Sequence, residues 1–353
     1  MTMSKKLKKS SLQMAAEAAE AYVPVDEDFV LDVDQDIQTD KNYASQGFWK
    51  GVITRFFKNA RAVIGLVIIV LIIILAIIGP HTSGHGYAEV IKVESASGKK
   101  VLARSLPPRV PGLHKLFTGE EYDDEFGDAT FLFGTDTMGR DLWTRVWYGA
   151  RVSLIIAFVT IIIDMIIGMS YGLISGFFGG FTDIGMQRFV EIANSVPRLV
   201  IVGVLATFMP KGIWLVIVAL LLTEWIGMSK IARAEMLKIK EQEYIMASRT
   251  LGANNFTIIF RDVLPNTIGP IITQIMFSIP TAIFTEAFLS FVGVGIVLPQ
   301  CSIGSLISDG FTNITTLPYQ ILPPIIVLAL LMLAFNFVGD GVREALAPRI
   351  EDM

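Results

Sequence analysis

The stretch "AVIGLVIIVLIIILAIIG", from Ala62 to Gly79, runs for eighteen residues without a polar side chain. A helix needs about 20 mostly apolar residues to cross roughly 30 Å of hydrocarbon. The chain of 353 residues is 52% hydrophobic and only 18% charged, and this stretch gathers its apolar residues into one block. Residues Ala62–Gly79 therefore predict a membrane-spanning helix.

Further apolar blocks follow and are long enough to span a bilayer once their polar flanks reach the interface. They are Val152–Ile174, Phe189–Met209, Ile213–Ser229, Thr267–Gly293 and Ile321–Gly339. Backbone amides need partners in lipid, and the blocks are too continuously apolar for alternating barrel strands. The sequence thus predicts an all-α polytopic membrane protein with six spans. Pro197 in span three and Pro280 in span five are expected to bend their helices.

Lysine and arginine residues near the span ends predict the orientation, because short basic loops stay in the cytoplasm. The first span is preceded by Lys50, Arg55, Lys58 and Arg61, and the loop between spans four and five is also basic. Both regions, and with six spans both termini, are predicted to be cytoplasmic. Arg140, Arg145 and Arg151 oppose this orientation, but they lie in a segment longer than the roughly 60 residues within which the rule counts.

Charge and apolar patterning divide the chain into regions. Residues 1–46 carry nine acids and no base between Ser10 and Asp40, which indicates a partly disordered cytoplasmic tail, with a regulatory role as the alternative. Residues 47–60 predict an amphipathic helix in the membrane interface. Residues 61–346 are predicted to form the transmembrane domain, with an outer loop at 81–150 and a cytoplasmic loop at 232–262.

Several classes of function find no support in the composition. A net charge of −4 gives no basic surface for nucleic acid, and the single Cys301 excludes an intrachain disulfide. His81, His85 and His114 share one polar segment, where separate solvent-facing histidines are favoured over a loose metal site. No cofactor or metal is predicted in this chain.

One polar stretch between spans four and five, "EYIMASRTLGANNF" (Glu243–Phe256), predicts a short helix and a turn. Gly252 suits the left-handed conformation that ends a helix, and Asn254 or Asn255 can cap a second helix that Pro265 ends or bends. Small residues sit in the middle of one face, which would let another surface approach the helix closely. From the spacing alone, a loop helix that rests on its own bundle is the favoured alternative. That face comprises Tyr244, Ala247, Ser248 and Leu251.

The longer stretch "EYIMASRTLGANNFTIIFRDVLPN" resembles the EAA loop of permease subunits in ATP-binding-cassette importers. That pattern reads E-A-A, three residues, Gly, nine residues, I-x-L-P. Ala247, Gly252, Leu264 and Pro265 match it. Three positions depart from it: Met246 replaces the glutamate, Ser248 the second alanine and Asp262 the isoleucine.

Other motifs narrow the resemblance to the oligopeptide and dipeptide permease family, specifically its C-type subunit, over about Phe131 to Arg349. They are "FGTDTMGRDLWTRVWYGARVSL" (Phe133–Leu154), "GFFGGFTD" (Gly176–Asp183), "TEAFLSFVGVG" (Thr285–Gly295) and "AFNFVGDGVREALAPR" (Ala334–Arg349). The resemblance implies the six-helix transmembrane domain of a type I importer in a bacterial cell membrane. Its function would be to translocate oligopeptides.

The resemblance also implies partners: a homologous B-type permease subunit, two cytoplasmic ATPase subunits and an extracytoplasmic peptide-binding protein. In the family the EAA helix sits in a groove of an ATPase. The nearest string to a nucleotide-binding loop, "SASGKK", lacks the first glycine, so ATP and Mg²⁺ are expected in the partner subunits. The predicted coupling residues are Glu243, Tyr244, Met246, Ala247, Ser248, Arg249, Leu251, Gly252, Leu264 and Pro265.

Ionisable residues inside the predicted spans need a reason, because a charge at the bilayer centre costs roughly 2.5–3.5 kcal/mol on insertion scales. These residues are Asp164, Glu191, Arg198, Glu224 and Glu286. Some are expected to line a water-filled path and contact peptide termini, and the alternative is internal ion pairing. Arg198 has two candidate partners, Glu191 on its own helix and Glu224 on the next.

Two other hypotheses stay open. The same machine could carry nickel, glycosides or another solute, because related permeases share these motifs. A stand-alone channel or proton-coupled transporter using Asp164 and Glu286 would leave the polar helix and turn without a purpose. An intramembrane enzyme is not supported, since neither an H-E-x-x-H nor a serine-elbow motif occurs.

Overall fold

A computed structural model of the chain describes residues 48–94, 99–110, 126 and 129–347. The predicted acidic tail at 1–46 and His114 lie outside these ranges. The chain divides into two units after Phe48, and the second unit, Trp49–Met353, contains the membrane helices.

Helices make up most of the described chain. Their bounds are α1 Phe48–Lys58, α2 Ala60–Thr82, α3 Leu142–Ile163, α4 Ser170–Phe178, α5 Gly180–Ser195, α6 Arg198–Phe208, α7 Ile213–Thr223, α8 Trp225–Ile239, α9 Glu243–Thr250, α10 Asn255–Thr257, α11 Leu264–Phe291, α12 Ile303–Thr312 and α13 Leu322–Leu346. Two π-helical turns, Asp164–Met169 and Ile258–Val263, join α3 to α4 and α10 to α11, and a 3₁₀ turn, Pro318–Gln320, precedes α13. One antiparallel hairpin, β1 Lys92–Glu94 with β2 Lys100–Leu102, departs from the predicted all-α content.

The membrane helices agree with the predicted spans. Within the described residues, five runs are long and apolar enough to cross a bilayer: Ala60–Thr82, Leu142–Phe178, Ile213–Ile239, Asn255–Phe291 and Pro318–Leu346. The predicted third span is instead a bent pair, α5 and α6, whose axes meet at 79°. Counting this pair as one span gives the predicted six.

The two prolines behave differently. Val196 adopts an extended conformation (φ −84°, ψ 121°) before Pro197, as expected for a residue whose helical conformation a following proline disfavours, and this breaks the helix. Pro280 lies inside α11, which runs through it without a break. A proline is tolerated within a membrane helix where neighbouring groups satisfy the freed carbonyl.

Helix α3 begins ten residues earlier than the predicted start of span two, at Leu142 rather than Val152. The Asp141 carboxylate caps it, accepting hydrogen bonds from the backbone N–H groups of Trp143 (3.3 Å) and Thr144 (3.1 Å). Sequence patterning missed these turns because they contain arginines, which are ordinarily found at the flank of a span. The segment between α2 and α3 is correspondingly shorter than the predicted outer loop at 81–150.

The three arginines that oppose the predicted orientation are engaged within the protein. Arg140 Nε lies 2.6 Å from Asp136 Oδ2, and the fully buried Arg145 lies 3.7 Å from the same oxygen. Arg151 donates to two carbonyls of α2, Ala76 O (2.9 Å) and Ile77 O (3.1 Å). Their presence in the outer segment thus has a structural reason, and the orientation of the chain stays a prediction.

Close packing joins the first π-helical turn and α4 to α8 through three glycines, here called the glycine ridge: Gly168 of the turn, and Gly172 and Gly176 of α4. A Cβ on Gly168 would lie 2.6 Å from the Trp225 carbonyl oxygen, and one on Gly176 would lie 2.8 Å from Met236 Cβ. Gly172, between them, approaches the Ser229 carbonyl still more closely. Small residues at such an interface let the two backbones approach and gain van der Waals contact. The ridge fixes α4 and α8 to each other as one layer.

Candidate functional site

The predicted helix and turn are present. Helix α9 occupies Glu243–Thr250, and Gly252 has φ +82°, the left-handed conformation that glycine adopts without steric cost. The Asn254 side chain then accepts a hydrogen bond from Phe256 N (2.8 Å) and caps the next helix. Local sequence therefore sets both the end of α9 and the start of α10.

Helix α9 is attached to the bundle through one apolar side chain. Ile245 is fully buried in a cluster that includes Phe177 of α4, Met236 of α8 and Ile259 of the second π-helical turn. Ile245 was not among the predicted site residues, because its neighbours Tyr244 and Met246 are also apolar and only the structure shows that Ile245 points inward. The prediction that α9 rests on its own bundle is thus correct for this residue.

The face predicted to pack closely points away from the bundle. Of its four residues, Tyr244 is 44% exposed, Leu251 88% and Ala247 is also exposed, whereas Ser248 is half-buried. Met246 (58%) and Glu243 are exposed beside this face. Burial and the negative charge of Asp262 raise the pKa of Tyr244 above its usual 10.0, so its hydroxyl remains protonated at neutral pH. The result is an apolar surface with small residues in its middle that nothing in the described chain covers.

Two departures from the EAA pattern contact each other. Ser248 Oγ donates a hydrogen bond to Asp262 Oδ2 (2.6 Å), linking α9 to the π-helical turn Ile258–Val263. A hydroxyl and a carboxylate thus stand where the pattern has an alanine and an isoleucine. The pair replaces an apolar contact by a hydrogen bond to a charged group, which is among the stronger kinds.

Arg249 and Pro265 lie on either side of the turn at Gly252. The Arg249 guanidinium lies 5.4 Å from the centre of the Phe177 ring, which attaches α9 to α4 by a cation–π contact. Pro265 does not end the second helix, because Asn255–Phe291 is one continuous run. Pro265, next to Leu264, occupies the first turn of α11. The wider π-helical turn before it relieves the usual clash of the proline ring.

A network of charged side chains connects the base of this loop to α5. Arg233 of α8 makes two bonds to Asp183, from Nε to Oδ1 (2.6 Å) and from Nη2 to Oδ2 (2.5 Å). Ser175 Oγ of α4 also donates to Asp183 (2.5 Å), and Lys240 Nζ donates to Gly176 O (3.2 Å). The motif Gly176–Asp183 therefore supplies both the last glycine of the α4–α8 ridge and the acid of this ion pair.

A polar cavity of about 270 Å³ lies among α5, α6, α8 and α11. Arg198 and Glu224 line it and form an ion pair (2.5 Å), which selects Glu224 over Glu191 as the partner of Arg198. Arg198 also donates to Thr285 Oγ1 (3.0 Å). Several further residues of the lining were not predicted, because they lie on three different helices and no single span contains them. They are Asn194, Lys230, Gln274 and Ser278.

The other three candidate path residues lie in different surroundings. Asp164, 1% exposed at the start of the first π-helical turn, interacts electrostatically with Arg198 and Glu224 but does not line the cavity. Glu286 is fully buried and accepts hydrogen bonds from Ser153 (2.6 Å) and Ser290 (2.9 Å). Glu191 is exposed on α5 and pairs with Arg188 (2.6 Å). Of the five candidates, Arg198 and Glu224 alone among the described residues line this space.

No cluster of three or more metal-ligating side chains occurs among the described residues. The arrangement instead combines a bundle of long apolar helices, a polar cavity inside it and an exposed helix firmly attached at one end. These features define a polytopic α-helical membrane protein with a polar cavity between its helices.

Comparison with known proteins gives the family. Residues 166–352 match the model "Binding-protein-dependent transport system inner membrane component", and residues 47–108 match "N-terminal TM domain of oligopeptide transport permease C". The chain belongs to this family of inner-membrane components of ATP-binding-cassette importers, and it is a permease subunit.

Curated relatives match over most of their length. The oligopeptide transport system permease protein OppC of Bacillus subtilis is 39% identical over 87% of this chain and 91% of its own. The dipeptide permease protein DppC of the same organism is 37% identical over 92% and 93%. OppC of Escherichia coli is 34% identical over 86% and 92%. Among solved structures, an inward-facing MetNI methionine transporter is 19% identical, with a TM-score of 0.49, over 58% of this chain and 97% of that one.

Proposed function

We propose that this permease subunit forms half of the transmembrane path of an ATP-driven importer for oligopeptides. The observation that carries the proposal is the exposed apolar face of α9, which is held by Ile245 and the Ser248–Asp262 hydrogen bond at the end of the bundle. The names of the curated relatives, oligopeptide and dipeptide permeases, support peptide as the cargo.

The exposed face of α9 is the docking surface for one of two cytoplasmic ATPase subunits. Met246, Ala247 and Leu251 offer apolar contact without a charge that would have to be desolvated. ATP and Mg²⁺ bind to those partner subunits, because this chain has no phosphate-binding loop. Met246 in place of the usual glutamate makes this contact depend on shape more than on charge.

Movement of α9 reaches the path through α8. This helix begins beside Glu224 in the polar cavity and ends at the loop that leads to α9, and its fifteen residues span about 22 Å. The glycine ridge and the Arg233–Asp183 pair lock α8 to α4 and α5. Closure of the ATPases therefore displaces α8, α4 and α5 together and changes the width of the cavity.

The bent pair α5–α6 faces the homologous permease subunit. Val190 and Val202 are the buried residues of these two helices, which otherwise leave apolar side chains such as Phe181 (95% exposed) uncovered. The Arg188–Glu191 pair is also exposed, with side chains 72% and 60% accessible. Charged groups in a membrane segment face other protein or a water-filled path rather than lipid. An extracytoplasmic peptide-binding protein docks on the opposite side.

Affinity purification of the chain in mild detergent tests the assembly. A second permease and two ATPase subunits should co-purify, and substitution of the α9 surface in Met246→Glu/Leu251→Glu should release the ATPases while the second permease stays bound. The matched control is Phe181→Glu/Phe208→Glu, which places the same charges on α5–α6 and should release the permease partner instead. Absence of both ATPases from the unmodified chain would overturn the proposal.

Competition of uptake tests the cargo separately. In cells that depend on this importer, unlabelled tetra- to octapeptides should compete with a labelled peptide, whereas nickel and glycosides should not. If only nickel or a sugar competed, the importer function would stand and the proposed peptide cargo would be wrong.

A further inference from the structure

The junction between α1, the start of α2 and the end of α13 encloses a cavity of about 670 Å³ that the transport function does not use. Arg55 and Lys58 of α1, Asn59 between the helices, and Arg61 of α2 line it together with Glu344 of α13. Three cations from two consecutive helices thus converge on one space at the edge of the first membrane span.

The three cations of this cavity form no ion pair with the part of the chain that the structure describes. Within the described residues, no carboxylate lies within 4 Å of Arg55, Lys58 or Arg61. The acid present, Glu344, accepts a hydrogen bond from Asn59 Nδ2 (2.7 Å), and Arg55 donates to the carbonyls of Gly51 (3.3 Å) and Ala347 (3.2 Å). Lys58 and Arg61 are exposed, and their side-chain donors are open to an anion.

The surroundings of the cavity are apolar and face outward. Ile53 (56%) and Phe57 (59%) are exposed on α1, and Ile64 (52%) and Val67 (60%) are exposed on the first turns of α2. A helix with one basic and one apolar face beside a membrane span lies in the interfacial layer of the bilayer. Basic side chains therefore sit at headgroup depth with apolar side chains directly below, which matches the two parts of a phospholipid.

We propose that this junction is a binding site for an anionic phospholipid, with its phosphate held by Lys58 and Arg61 and its acyl chains lying on Ile53, Phe57 and α2. Arginine binds phosphate oxygens through its planar fork, and lysine adds a point charge. The apolar face selects lipid over a free phosphate ion. Because the site joins the first span to the last, the bound lipid stabilises the contact between α2 and α13.

Thermal unfolding of the full chain in mild detergent tests the proposal. Cys301 is the only cysteine and is buried, and burial raises the pKa of its thiol to about 11, so a thiol-reactive dye reports unfolding. Phosphatidylglycerol should raise Tm by about 3 °C relative to phosphatidylcholine, because a ligand that binds only the folded state stabilises it. Lys58→Gln/Arg61→Gln should lose this rise and keep its Tm in phosphatidylcholine.

The matched control, Lys50→Gln/Lys92→Gln, removes two exposed positive charges outside the cavity and should keep the full rise. Native mass spectrometry provides a second measurement, in which bound phosphatidylglycerol should fall at least about threefold in Lys58→Gln alone, should the double variant fail to fold. Three outcomes would overturn the proposal. The first is an equal rise in Tm with inorganic phosphate. The second is a rise in Tm with a synthetic peptide of the acidic residues 10–40 but not with phosphatidylglycerol. The third is an equal loss of the phosphatidylglycerol-dependent rise in Lys58→Gln/Arg61→Gln and in Lys50→Gln/Lys92→Gln.

Discussion

Single residues decide how the exposed helix α9 is held. Gly252 has φ +82°, and a Cβ there would have no atom within 4 Å. This position therefore requires glycine because of its backbone conformation and not because of packing. Ser248 and Asp262 illustrate the opposite case, in which two unusual residues are explained only by each other.

Replacement of Gly252 by valine should impair coupling. A β-branched residue with positive φ carries about 1–3 kcal/mol of strain, which the turn can relieve by tilting α9. Peptide uptake should therefore fall between about fivefold and a hundredfold at normal protein level. Gly84→Val is the matched control, because Gly84 also has positive φ (+74°) and open space but lies in the outer segment. Unchanged uptake in Gly252→Val would contradict the coupling role.

The Ser248–Asp262 pair should behave as a unit in a double-mutant cycle. Ser248→Ala leaves the Asp262 carboxylate without its donor and should lower stability by about 1 kcal/mol, and Asp262→Ile should cost a similar amount by leaving the hydroxyl unpaired. The double variant restores the alanine and isoleucine of the EAA pattern and should lose less than the sum of the single changes. Thermal unfolding measures all three, and additive losses would show that the pair is not coupled.

Among the elements, α4 and α8 form the rigid connection between the loop and the path. The glycine ridge permits contact between their backbones, and the Arg233–Asp183 ion pair attaches α5 to the same layer. A short helix such as α9 can transmit movement only if the elements beneath it do not slide, and backbone contact of this kind prevents sliding more effectively than long side chains do.

Gly172→Ala should destabilise the chain. Its Cβ would overlap the Ser229 carbonyl oxygen and lie 2.8 Å from Ala232 Cβ, so α4 and α8 must separate. Overpacking of this kind costs typically 1–3 kcal/mol. Gly185→Ala, on the helix α5 with no atom within 4 Å of its Cβ, should instead gain up to about 1 kcal/mol, since alanine favours helix over glycine. Thermal unfolding should show shifts of opposite sign, and equal shifts would contradict the packing argument.

In the whole molecule, the polar cavity lies where the bent pair α5–α6 meets α8 and α11, and the Arg198–Glu224 ion pair and Lys230 are its charged groups. Arg198 is 43% accessible at its side chain whereas Glu224 is 8% accessible, so the cation faces the cavity and the acid lies behind it. A solute in this space therefore meets a guanidinium whose charge is offset from behind.

Glu224→Gln should change selection by charge. The variant removes the carboxylate nearest to Arg198 and Lys230, so the cavity attracts an acidic peptide more strongly. A change of about 1 kcal/mol per charge pair in a hydrated site corresponds to a roughly fivefold change in binding. Uptake of acidic relative to basic peptides should rise by about this factor. Glu191→Gln is the matched control, because Glu191 pairs with Arg188 on the exposed face of α5 and does not line the cavity. An unchanged ratio of acidic to basic peptide uptake would show that transported peptides do not pass through the cavity.

The sequence by itself determined the membrane architecture, because hydrophobic length is a local property that each span carries alone. It also determined the turn at Gly252 and the cap at Asn254, where one residue's conformation or side chain suffices. The family followed from motifs in the right order. Those same local rules placed the start of α3 too late, since Arg145 and Arg151 can pack inside the protein only through partners elsewhere in the chain.

Only the tertiary structure decided which polar groups meet. Arg198 forms an ion pair with Glu224 rather than Glu191, Asp183 forms one with Arg233, and Ser248 donates a hydrogen bond to Asp262. Each pair joins separate elements, and its energy depends on distance and burial that no single segment specifies. The outward direction of the small-residue face of α9 was likewise fixed by the burial of Ile245 between α4 and α8, since a short helix takes its orientation from the core to which it is attached.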